Sequence, residues 1–353
     1  MFKRPLITMI FLISYSQQVL SHGDNSYHHS RDDLPKQKCW MKMLPDSLPI
    51  RSISIPGTHD SAARHGGDSA QTQSLSITQQ LNGGIRFLDI RLRHASDKFS
   101  LYHGFISQKL HLDAVLNEAR TFLINNPSET IFMRLRKEYK DGKNTRSWQE
   151  TYNDYVNEFS DVMWTSSEYD PELGSVRGRI IVLDDMGSLV SQRAGIYYGN
   201  FNKQDDFKFT TNWDLYSKWI KVKNLLKQAN NNQRNAINFL SGSGGSFPYF
   251  IASGHSSPST FSPRLLTGKT TPGWKNSDPD FPRISCFIGI CSIAFEGTNV
   301  LTKQYIQKYN PSYVGIIAAD FPGDGLISSI IYTNPFARAY FYTHLFQKLS
   351  CDD

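Results

Sequence analysis

From residue 50 onward the chain repeats one pattern: a short β-branched run, polar residues at its end, then a stretch with helical spacing. The runs fall at 52–55, 84–92, 99–102, 130–135, 179–183, 236–239 and 313–319. Between them the spacing predicts helices. The one at 112–125 places Leu112, Val115, Leu116, Ala119, Phe122 and Leu123 on one face. Asn126-Pro127-Ser128 stops it. Strands alternating with helices predict an α/β fold whose parallel sheet is covered on both faces. No sequence repeat accompanies the alternation.

Two stretches break the pattern. Residues 22–37 are polar, His-rich and aperiodic, which predicts a loose leader with solvated His22, His28 and His29. Residues 241–279 are rich in Ser, Gly and Pro and predict a long surface loop. That loop also carries Phe247, Tyr249, Phe250, Phe261 and Trp274, a rim able to touch lipid.

With 353 residues, 39% hydrophobic and 20% charged, the chain is neither disordered, collagenous nor a coiled coil. Its length admits two domains, but an α/β barrel of this size runs as one. Lys3 and Arg4, an apolar stretch from Leu6 to Tyr15, and Val19-Leu20-Ser21 have the order of a secretory signal peptide. The apolar part is too short to span a bilayer, which takes about 20 residues. The expected division is therefore a signal peptide at 1–21, a polar leader at 22–40 and a single catalytic barrel at 41–353, secreted to the extracellular space. Removing the signal lowers the formal charge from +6 to +4. The remaining basic residues are dispersed and no nucleic-acid module is present, so nucleic acid is not an expected partner.

Four cysteines fit an oxidising compartment. They allow three pairings. The expected ones join Cys286 to Cys291 within CFIGIC, and Cys39 to Cys351, which a barrel with adjacent termini would bring together. No CxxC or HxxxH spacing supports a zinc site.

The chemistry sits where the runs end. SISIP leads into Gly57-Thr58-His59-Asp60; FLDIRLR puts Asp89, Arg91 and Arg93 on one strand face; FSLYHG ends at His103; IFMRLRKEY aligns Arg134, Arg136 and Glu138; GIIAAD ends at Asp320. In barrels of this class, catalytic residues come from the carboxyl ends of several strands. Two histidines can serve as general base and general acid. A buried Asp can orient the base, and an arginine can neutralise a phosphate without a metal. Taken singly each residue has a plainer role: Asp60 as a helix cap, Arg91 as half of an ion pair with Asp89 or Asp60. His111, His65, His94, His255 and His344 carry no argument for catalysis.

The run SISIPGTHDSA, followed by GGIRFLDIRLR, LYHGF and NPSETIFMRLRKEY, resembles the bacterial-type phosphatidylinositol-specific phospholipase C family. The likeness is unbroken over most of 50–139 and thinner through RGRIIVL, INFLSG and YNPSYVGIIAADF. It implies a distorted, incompletely closed TIM (β/α) barrel. It also implies a phosphatidylinositol diacylglycerol-lyase that releases diacylglycerol and inositol 1,2-cyclic phosphate. No cofactor is expected, since Arg91 stands where related enzymes hold calcium. The expected partner is phosphatidylinositol or a glycosyl-phosphatidylinositol lipid, met by a monomer in peripheral contact with a membrane.

Carried over by position, the resemblance makes His59 the base, Asp320 its orienting carboxylate and Arg91 the phosphate ligand. His103 becomes the acid, with Asp60 as its partner. Arg136, in place of a lysine, and Glu138 would contact the inositol, as would Asp214 and Tyr216 of NWDLY. One departure is Asp184-Asp185 after RIIVL, where the bacterial enzymes place a basic pair whose arginine contacts the ring. A catalytically silent inositol-lipid or glycan-binding relative is the alternative. A metal-using phosphodiesterase of glycerophosphodiesters or sphingomyelin ranks last, because an arginine occupies the place of a ligand carboxylate.

Overall fold

The computed structural model describes residues 24–191, 195–231, 235–256, 266–277 and 280–343. In chain order the strands are β1 (Ile55–Thr58), β2 (Phe87–Ala95), β3 (Lys98–His103), β4 (Ile106–His111), β5 (Ile131–Lys137), β6 (Met163–Trp164), β7 (Ile180–Asp185) and β8 (Ile196–Tyr197). There follow β9 (Asn202–Gln204), β10 (Lys208–Phe209), β11 (Ala236–Phe239), β12 (Ser243–Gly244), β13 (Leu266–Thr270), β14 (Arg283–Phe287), β15 (Ile290–Ala294) and β16 (Ile316–Ala319). One sheet runs β6-β7-β5-β2-β1-β16-β11-β9, with every pairing along this path parallel. It curls into an open half-barrel: among the described residues no pairing joins β6 to β9.

Burial explains why these runs became strands. β1, β11 and β16 are buried on both faces, which is why none of them shows a polar–apolar alternation and β16 reads as a continuous apolar run. The helix Leu112–Asn125 forms where its spacing predicts, burying the six residues of that face. Gly57 is required by close approach, because a Cβ there would sit 2.7 Å from the Phe87 side chain on β2. The pair Arg86–Glu129 is fully buried at 2.7 Å. Arg86 donates to the carbonyls of Lys38, Leu81 and Ile85, and Glu129 accepts from the Met41 amide. That lock ties the 3-10 turn Trp40–Met43 to the sheet.

Three expectations are corrected. First, 99–102 belongs to an antiparallel excursion in which β3 pairs with both β2 and β4; β4, with its alternating exposure, carries no β-branched run to signal it. Second, the leader is packed from residue 24 onward. Tyr27 is buried against Tyr249, His29 lies against Tyr249 and Phe321, and Asp24 pairs with Lys303. His22, like the signal segment, lies outside the described residues.

Third, 241–279 is not one long loop. It holds β12, a helix Pro248–Ser253 with Pro at its start and Gly254 left-handed at its end, β13 and a helix Pro272–Ser277. Tyr249 and Phe250 point into the core; Phe247 and Trp274 are exposed, and Phe261 lies outside the described residues. β13, β14 and β15 form a separate antiparallel sheet, and Cys286 is bonded to Cys291 as expected. The pairing of Cys39, itself buried, with Cys351 lies outside the described residues.

Candidate active site

Parallel pairing puts the carboxyl ends of β1, β2, β5, β7, β11 and β16 on one edge. His59 follows β1 and Asp320 follows the neighbouring β16. Gln73 donates through one amide nitrogen to the carbonyls of both His59 and Ala319, at 2.9 and 3.0 Å, stitching the two ends together. The Nδ1 of His59 lies 2.8 Å from Asp320 Oδ1 and its Nε2 lies 2.7 Å from Arg91 Nη2. A guanidinium can only donate, so Nε2 carries a lone pair and Nδ1 carries the proton, donated to Asp320. Burial, helped by Arg91, pushes the His59 pKa well below its ordinary 6.5. The ring is therefore neutral at neutral pH, with its basic nitrogen aimed at the phosphate-binding candidate.

Arg91 is the hub. Its Nε is 3.3 Å from Asp89 and 3.7 Å from Asp60, and its Nη1 is 3.3 Å from Glu138. These carboxylates raise its pKa despite burial, while Arg91 and Arg134 together hold Asp89 below the usual carboxylate range. Three acidic side chains thus face one guanidinium, and among the described residues no group of three or more His, Cys, Asp or Glu side chains is placed to hold a metal ion.

Asp60 sits at φ 38°, a left-handed conformation that Asp tolerates better than most residues. Its amide donates to Asp89 at 3.1 Å and its carbonyl accepts from Thr72 at 3.0 Å. No helix follows it, so it caps none. Its Oδ2 lies 3.5 Å from His103 Nδ1 and makes no hydrogen bond, and burial raises its pKa well above the ordinary value. His103 Nδ1 donates instead to the Ala70 carbonyl at 2.6 Å. Burial and then Arg91 lower the His103 pKa.

The substrate-binding candidates divide. Arg136 lies beside Arg91 in register. Glu138 accepts from Arg91 and, at 2.9 Å, from the Gly104 amide next to His103. Asp214 and Tyr216 are not part of this cluster. Asp214 opens the helix Asp214–Asn230, where its Oδ2 accepts from the amides of Thr210 and Thr211 and from the Thr210 hydroxyl. Tyr216 is exposed, its ring against Phe281.

Strand alternation resolves the Asp184-Asp185 departure. Asp184 turns away from the barrel interior, accepting from the Met186 amide. Asp185 faces inward and binds Arg134 through Nε and Nη2 at 3.0 and 2.6 Å. Arg134 also reaches Asp89 at 3.2 Å and lies over the Tyr198 ring. The acid is thus neutralised by a guanidinium from the adjacent strand.

The sequence reading missed Asp205. It follows β9, is half-buried, and its charge acts on Arg91, Arg134 and the buried Lys218. Burial lowers the Lys218 pKa to about 7; its ammonium donates to Gln204 and to the Asp206 carbonyl. The signal was weak because Asn202-Lys203-Gln204 contains no apolar residue.

Known proteins resemble this chain over most of its length. Residues 47–185 match the family model "Phosphatidylinositol-specific phospholipase C, X domain". A 1-phosphatidylinositol phosphodiesterase of Staphylococcus aureus (strain Newman) is 32% identical over 289 residues, covering 70% of this chain and 91% of that protein. The Listeria monocytogenes protein of the same name is 35% identical over 189 residues, covering 48% and 58%. A solved structure of the Staphylococcus aureus phosphatidylinositol-specific phospholipase C superposes with TM-score 0.62 at 23% identity, covering 85% of this chain and 98% of that one, a likeness of fold. The chain belongs to the phosphatidylinositol-specific phospholipase C family.

Proposed function

We propose that the chain cleaves phosphatidylinositol to diacylglycerol and inositol 1,2-cyclic phosphate without a metal ion. His59 Nε2 takes the proton of the inositol 2-hydroxyl, whose oxygen then attacks phosphorus. Asp320 holds the ring and stabilises the imidazolium that forms. Arg91, released from Nε2 as the phosphate arrives, pairs with the non-bridging oxygens where negative charge grows. His103 delivers a proton to the glycerol oxygen as the phosphorus–oxygen bond breaks. One P–O bond forms, one breaks, and one proton enters His59 as another leaves His103.

The observation that carries this reading is the line Asp320–His59–Arg91, with contacts of 2.8 and 2.7 Å: orienting acid, base with a free lone pair, and phosphate cation in sequence. Arg136 and Glu138 would border the inositol, and Asp205 would take the place first given to Asp214. Metal independence rests on Arg91, whose charge replaces the cation among Asp60, Asp89 and Glu138. We also propose secretion through residues 1–21, outside the described residues; the Cys286–Cys291 bond suits that destination. Among the described residues, no helix is long and apolar enough to cross a membrane.

The test is turnover of phosphatidylinositol by wild type and His59→Ala. Loss of an acid or base group is expected to lower kcat by about 10²–10⁴-fold. Full activity in the variant refutes the assignment. Lipid binding without turnover in the wild type would favour the silent relative.

A further inference from the structure

The hairpin of β14 and β15 shows an apolar tip that no fold requirement explains. Phe287 pairs with Ile290 across a two-residue turn made by Ile288 and Gly289. Both turn residues have positive φ, 47° and 76°, as a type I′ turn demands. Asn or Asp is the usual first residue there; a β-branched one in that region is a strained outlier. Yet Ile288 is 84% exposed, flanked by Phe287 at 77% and Ile290 at 63%. Backbone strain is held here to display three large apolar side chains to solvent. The Cys286–Cys291 bond clamps the strands directly beneath them.

The hairpin is rooted at the catalytic edge. The chain leaves β11 at its carboxyl end and returns at the helix Thr298–Tyr309, where the Thr298 hydroxyl donates to the Leu240 carbonyl at 3.0 Å. The next residue, Asn299, donates to the carbonyl of Asp320 at 2.9 Å. Excursion 240–297 therefore starts and ends beside the His59 partner. At the hairpin base, Arg283 binds Glu296 and Phe295 packs on Phe250 and Trp213. The surrounding stretch 266–294 contains Lys269, Lys275 and Arg283 alongside Asp278 and Asp280; Asp280 is paired with Lys223 and Arg283 with Glu296.

We propose that the 287–290 turn is a membrane anchor, placing Phe287, Ile288 and Ile290 among the acyl chains of an anionic bilayer while the lysines meet its headgroups. A rigid apolar wedge with Lys269 and Lys275 beside it fits that surface, and it would hold the carboxyl edge of the barrel against the membrane. This rests on the lipid-cleaving reading above, but its test does not.

Vesicles of phosphatidylcholine and phosphatidylglycerol at 4:1, free of phosphatidylinositol, are sedimented with wild type and Ile288→Asn. Asn suits the left-handed turn, so the melting temperature is expected to hold or rise while the vesicle partition coefficient falls about tenfold. Turnover of a monomeric short-chain phosphatidylinositol stays at the wild-type level. If the wild type cleaves nothing but the partition still falls in Ile288→Asn, the anchor stands and the lipid-cleaving reading fails. Unchanged partition overturns the anchor. So does a fall in partition accompanied by a lower melting temperature, which marks a structural role. Self-association lost in the variant with vesicle binding kept overturns it in favour of an interface between copies.

Discussion

Burial decides which protons the site holds. His59 and His103 are both pushed below the ordinary 6.5, mainly by burial and then by Arg91. As the proposed base, His59 must be unprotonated, which requires a pH above its depressed pKa. As the proposed acid, His103 must be protonated, which requires a pH below its own. Both limbs of the free-enzyme profile therefore lie under 6.5, and kcat/KM should be bell-shaped with its maximum on the acid side of neutrality. A profile that rises from pH 6 to 8 would contradict this assignment. At this scale much of the candidate site was legible, since His59, Asp60, His103 and Asp320 end or follow strand runs and Arg91 lies within one. Asp89 and Arg134 were visible through strand parity, but their task of fixing Arg91 and Asp185 needed coordinates. Asp214 misled because Asp-x-Tyr spacing says nothing about which side of a helix start the acid serves; its own turn consumes it.

Among elements, the buried Arg86–Glu129 pair joins the leader, β2 and β5. Glu129→Ala leaves a guanidinium in the core without its charge partner, a change expected to cost about 3–5 kcal/mol. Thermal unfolding measures it; a loss well under 1 kcal/mol would show that this lock does not hold the leader. The long strands and the helix Leu112–Asn125 could be read from the sequence because burial on one or both faces imposes a period. β4, β8, β9 and β12 could not, being short or exposed, and they exist through pairing with neighbours rather than through their own composition.

For the whole molecule, the parallel sheet gathers residues separated by up to 261 positions, as in His59 and Asp320, onto one edge. Fold class and the placement of chemistry at strand ends followed from the sequence alternation; the incomplete closure followed only from the family likeness. The order of charges in the barrel bears on the proposed metal independence. Arg91 and Arg134 already pair with Asp89, Asp185 and Glu138, so an added divalent ion would meet two fixed guanidinium groups at close range.

The central claim is cyclisation by two histidines with an arginine in place of a metal. Phosphorus NMR of wild type and His59→Ala with phosphatidylinositol micelles, in excess chelator, tests it directly. The account predicts a five-membered cyclic phosphate signal in the wild type that is lost in His59→Ala. A non-cyclic phosphate as the first product, or activity that returns only with calcium, would contradict it.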